Sequence, residues 1–156
     1  AVSVNQAVRE GLADLLARYD IVHITGRGHL DESLTRPGYV QFDFLQDGFA
    51  DLMAAADIVI SRAGANACAE LAALAKPHVL VPLPTAGSRG DQIENAESYA
   101  ARGASIVLRD EDMTADSLRA KLDEVEAKRA DLVAAMQGFS CDRGGCNVIA
   151  VLRDYF

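Results

Sequence analysis

Residues 56–84, ADIVISRAGANACAELAALAKPHVLVPLP, decide the fold. A short apolar segment, DIVISR (57–62), runs through a glycine into a helix-like stretch, GANACAELAALA (64–75). After Lys76-Pro77 comes a second apolar segment, HVLVPL (78–83). Both apolar segments are continuous rather than alternating, which is the pattern of strands buried on both faces of a sheet. The helix stops at Lys76-Pro77 because proline has no N–H to donate and pushes the residue before it out of the helical region. Strand, helix and strand in this order form a parallel unit joined by a crossover.

The same alternation continues on either side. VNQAVREGLADLLAR (4–18) places Val4, Val8, Leu12, Leu15 and Leu16 on one face and predicts a helix. DIVHITG (20–26) and YVQFDFL (39–45) predict strands, separated by a polar loop with Pro and Gly, and a short helix follows near 48–55. Beyond residue 84 come a loop (84–90) and a helix (91–103) closed by Gly103. A strand (105–110) follows, then a long helix over 114–136 with Leu118, Leu122, Val125, Leu132 and Met136 on one side. A last helix is predicted over 143–156. The order α-β-β-α-β-α-β-α-β-α predicts one α/β domain over 1–156, Rossmann-like, with a parallel sheet and helices on both faces. Such domains open on a strand and a Gly-rich turn. This chain opens on helix residues and reads as a fragment cut just after such a turn.

Composition narrows the function. With 156 residues and 50% hydrophobic ones, the chain can bury a real core. A net charge of −8 argues against nucleic acid as a partner, because phosphate neutralisation needs clustered Lys and Arg. No apolar run reaches the ~18 residues of a membrane span, and no signal peptide is evident. Cys68, Cys141 and Cys146 have no framework spacing and read as reduced thiols of a cytosolic protein. Cys141 and Cys146 have no nearby His to complete a zinc site, so no metal is expected. His23 reads as a satisfied core residue. Asp110-Glu111-Asp112 reads as a solvated acidic turn ahead of a Thr-initiated helix.

Ligands of open α/β sheets bind beyond the carboxyl ends of the strands. Three loops lie there: Ser61–Asn66, Pro82–Gln92 and the loop after strand 39–45. In the first, Gly64 is expected to turn the backbone sharply and let a ligand approach. The N–H groups of Ala65, Asn66 and Ala67 face an anion site, with Arg62 adding positive charge. Glu70 sits roughly 9 Å further on, at ~1.5 Å per residue, where a sugar joined to the phosphate would lie. Its carboxylate can accept from two ribose hydroxyls. The plain alternative is a solvated Glu70 and an ordinary turn at Gly64. In the second loop, Asp91 is a candidate helix cap, and Gln92 and Asn95 can meet a ligand hydroxyl.

The ordered motifs resemble the MurG family of UDP-GlcNAc-dependent N-acetylglucosaminyltransferases. ADIVISRAGANACAELAALAKPHVLVPLP is similar to that family's donor-nucleotide signature. VHITG, FDFLQDGFADLMAAAD and DQIENAESYAARGAS resemble further family motifs in the family's order. The resemblance covers about Val4 to Leu122. It implies the C-terminal, donor-binding half of a GT-B glycosyltransferase. Glu70 would bind the ribose of UDP, and Gly64, Ala65, Asn66 and Ala67 would face the diphosphate. Leu45 would pair with the uracil edge, and Arg62 would stand near the nucleotide. Asp91 and Gln92 would touch the GlcNAc hydroxyls, with Asn95 supporting that loop. No catalytic base is found in the chain. The family reaction is inverting and metal-independent, with no cofactor beyond the donor substrate. Its acceptor is lipid-linked MurNAc-pentapeptide, held by an N-terminal domain at the inner face of the plasma membrane. Ala67 or Cys68 stands where the family has Ser or Thr, and Asp91 stands where it has His or Gln. Two other readings fit the same residues: the donor part of another GT-B UDP-sugar transferase, and a nucleotide-binding module without catalysis.

Overall fold

The computed structural model describes residues 2–139 apart from positions 86 and 88. The helix predicted over 143–156 and the thiols Cys141 and Cys146 lie outside the described residues. The elements are α1 (Val2–Glu10), α2 (Leu12–Leu16), β1 (Ile21–Ile24), β2 (Tyr39–Phe42), α3 (Phe49–Ala55), β3 (Val59–Ser61), α4 (Ala65–Ala73), β4 (His78–Leu80), α5 (Asp91–Ala101), β5 (Ile106–Val107), α6 (Ala115–Ala127) and α7 (Arg129–Phe139). A single 3-10 turn spans Asp110–Asp112.

Every strand pair is parallel, as the continuous apolar runs of β1, β3, β4 and β5 led one to expect. The pairing, however, gives two sheets: β1-β2, and β3-β4-β5 in that order. Sequence predicts the strands but not which strand becomes whose neighbour. Here β1 pairs with β2 and β3 with β4, and no hydrogen-bond ladder joins β1 to β3 among the described residues.

Two long helices of the sequence reading are each broken in two. Gly11 separates α1 from α2. A Cβ there would come within 3.1 Å of the Ala115 Cβ, so the glycine lets α6 pack closely. The stretch 114–136 divides at Lys128, whose φ of −105° and ψ of 11° leave the helical region. Thr114 starts α6 as expected: its side chain accepts from the Ser117 N–H, and Ser117 returns the bond to the Thr114 N–H, a reciprocal cap that satisfies two orphan donors.

The core forms in two parts. Ala7, Val8, Leu12 and Leu15 from α1 and α2 join Val79, Val81, Leu118, Leu122, Val125, Leu132 and Met136 in the main cluster. A smaller one gathers Ala63, Cys68, Leu71, Leu80 and Ala96 beneath α4 and α5. Among the described residues the β1-β2 sheet is covered on one face. His23 and Tyr39 are buried on that face. On the other, Val22 (45% exposed) lies opposite Val40 (51%), and Ile24 (37%) opposite Phe42 (37%). No helix among the described residues is long and apolar enough to cross a membrane.

Candidate functional site

The carboxyl end of β3 leads directly into α4, and the candidate site is built on that junction. Gly64 is the N-cap of α4 and gives no side-chain cap, so no cap side chain takes up the first N–H groups. Its φ of −67° and ψ of 147° are ordinary extended values. The sharp turn expected at Gly64 is therefore corrected to extended backbone. What the glycine provides is room, because a Cβ at residue 64 would meet nothing within 4 Å.

α4 divides its faces sharply. Cys68 and Leu71 are fully buried and Ala72 nearly so. Asn66 and Glu70 are exposed, four residues apart on one face and so about 6 Å apart along the axis. A mostly apolar helix thus keeps its amide and its carboxylate on the side that is not packed. Burial pushes the Cys68 thiol up, so it stays protonated and inert at neutral pH.

α5 supplies the neighbouring wall. Gly90, with φ of 90°, occupies the cap position. The expectation that Asp91 caps α5 is thus corrected: Asp91 is the first helical residue, exposed, where its charge favours the helix dipole. The Leu83 N–H donates to Gln92 Oε1 at 3.1 Å. Asn95 Nδ2 donates to the Ala63 carbonyl at 3.0 Å, tying α5 to the residue before Gly64. Arg62, Gly64, Ala65, Asn66, Ala67 and Glu70 therefore share one strand-helix unit, to which Asn95 is bonded, while Gln92 is bonded to the loop after β4. Leu45, half-buried, lies on the loop between β2 and α3, in the part of the molecule that carries the two-stranded sheet.

Arg62 has partners that sequence reasoning missed. Its Nη1 donates to Asp110 Oδ1 at 2.5 Å and to the Val81 carbonyl at 3.2 Å. Its Nη2 donates to Ser3 Oγ at 3.3 Å. The Ser3 hydroxyl in turn donates to the same Asp110 oxygen at 2.5 Å. Burial raises the Asp110 carboxyl, but the Ser3 hydroxyl and the Arg62 guanidinium outweigh that and hold it below the usual carboxylate range. Asp110 is thus not a solvated member of its acidic turn. A half-buried Arg at a strand end needs a counter-ion, and that need was the one available signal.

A second polar network holds α1 to β1. His23 Nδ1 lies 2.8 Å from the Tyr39 hydroxyl and its Nε2 3.0 Å from Asn5 Oδ1. Asn5 Nδ2 donates to the Thr25 carbonyl at 2.8 Å. Burial, reinforced by the Arg9 cation, pushes His23 down to about 4. His23 is the satisfied core residue that its sequence context suggests.

Hollows of about 370 Å³, at Ser105, Lys121, Glu124 and Lys128, and about 290 Å³, at Leu30, Leu34, Tyr39 and Gln41, share no residue with the β3-α4 junction. The candidate site presents the exposed side chains of Asn66, Glu70 and Asp91.

Residues 1–142 match the family model described as the glycosyltransferase family 28 C-terminal domain. The chain belongs to glycosyltransferase family 28. Two curated relatives of this family 28 chain carry the name UDP-N-acetylglucosamine--N-acetylmuramyl-(pentapeptide) pyrophosphoryl-undecaprenol N-acetylglucosamine transferase. The one from Lachnospira eligens is 49% identical over 138 residues, 88% of this chain and 39% of the relative. The one from Clostridium novyi (strain NT) is 42% identical over 153 residues, 97% of this chain and 43% of the relative. The family 28 chain therefore spans about two fifths of the length of these relatives. The crystal structure of MurG from Acinetobacter baumannii is similar in fold, with a TM-score of 0.66 and 25% identity over 86% of this chain and 39% of that one. The fold of this family 28 domain is the Rossmann-like half of a GT-B glycosyltransferase.

Proposed function

We propose that this domain binds the donor UDP-GlcNAc for an inverting N-acetylglucosaminyltransferase. In the full-length protein the acceptor would be lipid-linked MurNAc-pentapeptide. The observation that carries the reading is the 42–49% identity to relatives named for that transfer. The geometry agrees with it at the β3-α4 junction.

The diphosphate would lie on the uncapped N–H groups of Ala65, Asn66 and Ala67, over the open ground at Gly64. An anion is favoured there by the helix dipole and by directed N–H donors. Glu70, on the same exposed face, would accept from the ribose hydroxyls. Leu45 would meet the uracil edge through its backbone. Asp91 and Gln92 would meet the sugar hydroxyls, with Asn95 and Arg62 beside them. As the C1–O bond of the donor breaks, charge builds on the β-phosphate, and fixed dipoles at α4 are suited to hold it without a metal ion. The acceptor hydroxyl must lose a proton, and no residue of this chain is assigned as its base. That base, the acceptor site and the contact with the inner face of the plasma membrane would belong to the rest of the full-length protein.

Calorimetric titration of UDP-GlcNAc, UDP and ADP into the protein tests the reading. Uridine nucleotides should bind and ADP should not. Glu70→Ala should weaken binding by ~1–3 kcal/mol, the value of a lost charged hydrogen bond. Equal binding of ADP and UDP, or an indifferent Glu70→Ala, would overturn the assignment. Transfer that persists in chelator would support metal independence, and its loss would remove that part.

A further inference from the structure

We propose that Arg62 serves the donor site as a positioning residue, locked by Asp110 and Ser3 so that the first turns of α1 and α4 keep a fixed separation. This rests on the donor-site reading above and assigns Arg62 a role different from direct contact with the diphosphate.

Three observations carry it. The first is connectivity. Ser3 belongs to the first turn of α1, and Asn5, one half-turn on, bonds the carboxyl end of β1. Arg62 follows β3, two residues before Gly64, Val81 follows β4, and Asp110 follows β5. The triangle of Arg62, Asp110 and Ser3 therefore joins the carboxyl end of the three-stranded sheet to α1, which Asn5 ties in turn to the carboxyl end of β1. No strand ladder joins the two sheets among the described residues. The second is charge. The Arg62 cation already faces a carboxylate at 2.5 Å, with side chains of both partners only 20–23% exposed. A phosphate replacing Asp110 would have to break a charge-assisted pair, and one added beside it would meet the Asp110 anion. The third is hydrogen-bond use. Three Arg62 N–H vectors are spent on Asp110, Val81 and Ser3, and the Ser3 hydroxyl both accepts from Arg62 and donates to Asp110.

Two helix N-termini are two sources of positive potential for an anion. Their effect on one diphosphate depends on their separation. The triangle is placed to set that separation, so its loss should be felt in affinity for the diphosphate and not for the nucleoside.

The test is calorimetry with UDP and with uridine on the protein at its full natural length. The variants are Arg62→Ala, Asp110→Asn, Ser3→Ala and the double Arg62→Ala/Asp110→Asn, each checked by thermal melting. The expected result is that Asp110→Asn weakens UDP binding by about tenfold, as Arg62→Ala does, in line with the loss of a charged hydrogen bond. The double variant should be no weaker than the weaker single, because both break one unit. Ser3→Ala, a neutral change, should give a smaller loss in the same direction. Uridine affinity should change less than twofold throughout, which a merely destabilised fold would not produce selectively. Unchanged or tighter UDP binding in Asp110→Asn, with Arg62→Ala still weak, would overturn the proposal and assign Arg62 to direct phosphate contact. Absence of UDP binding in the unaltered protein would instead overturn the donor-site reading itself.

Discussion

His23 shows how a single side chain in this fold carries a pH dependence. It is buried between Asn5 and Tyr39 and stays neutral until well below its ordinary value, to about 4. The unfolded chain takes up that proton near pH 6.5. Between pH 6.5 and 4 the unfolded state therefore binds more protons, so stability is lost as pH falls through that window. The largest loss attributable to His23 is about 3 kcal/mol, from ~1.4 kcal/mol per pKa unit. Buried His78, also held down by burial, acts in the same direction. Urea midpoints at pH 7 and pH 4.5 should fall further apart in the unaltered protein than in His23→Gln. An equal drop in both would remove His23 from the account. Position 23 could be read as structural from its place within an apolar run. Its partners, 16 and 18 residues away, could not.

At the scale of elements, α4 and α5 both begin at glycine, for different reasons. Gly90 needs its glycine for a φ of 90°. Gly64 does not, and instead leaves unfilled space where α4 starts. Gly90→Ala should lower stability by ~1–2 kcal/mol, the cost of the left-handed region for an L side chain. Gly64→Ala should leave the melting temperature within error and weaken UDP binding, because the new methyl would occupy the approach to the first N–H groups. Melting curves and titrations of the two variants separate these effects. A Gly64→Ala protein that binds UDP normally would show that no ligand comes close there. The order of these elements was legible because apolar runs and helical periodicity are local signals. The cap at Thr114 was legible for the same reason. The breaks at Gly11 and Lys128 were not; at Gly11 the reason lies in packing, since a side chain there would crowd Ala115 of α6. The Arg62–Asp110 pair was hidden by its 48-residue separation and by an acidic run that looked like a solvated turn.

For the molecule as a whole, the parallel direction was legible in the continuous apolar runs of β1, β3, β4 and β5, whereas the division into two sheets was not. Register and neighbour choice are settled in space, by which backbones can reach one another. The candidate site at β3-α4 could be located because glycine, amide and carboxylate stand close in sequence. The clamp behind it draws on α1, β3, β4 and β5 at once and has no local signature.

The two-sheet arrangement also governs colloidal behaviour. Among the described residues β1 and β3 each pair with one strand, so each has an edge to which a further strand, of the same protein or of another copy, can add. Beside the β1 edge lies the row of Val22, Ile24, Val40 and Phe42, open on its outer face. Against this stands the repulsion of a net charge of −8, which salt screens over a distance of about 10 Å at 0.1 M. Copies of this domain should therefore remain apart in dilute buffer and self-associate as sodium chloride rises, with scattered light growing more than in proportion to concentration. Val40→Lys, which puts a charge in the middle of the apolar row, should suppress that growth. If scattering instead falls with salt, association is driven by charge pairing and the open sheet edges play no part in it.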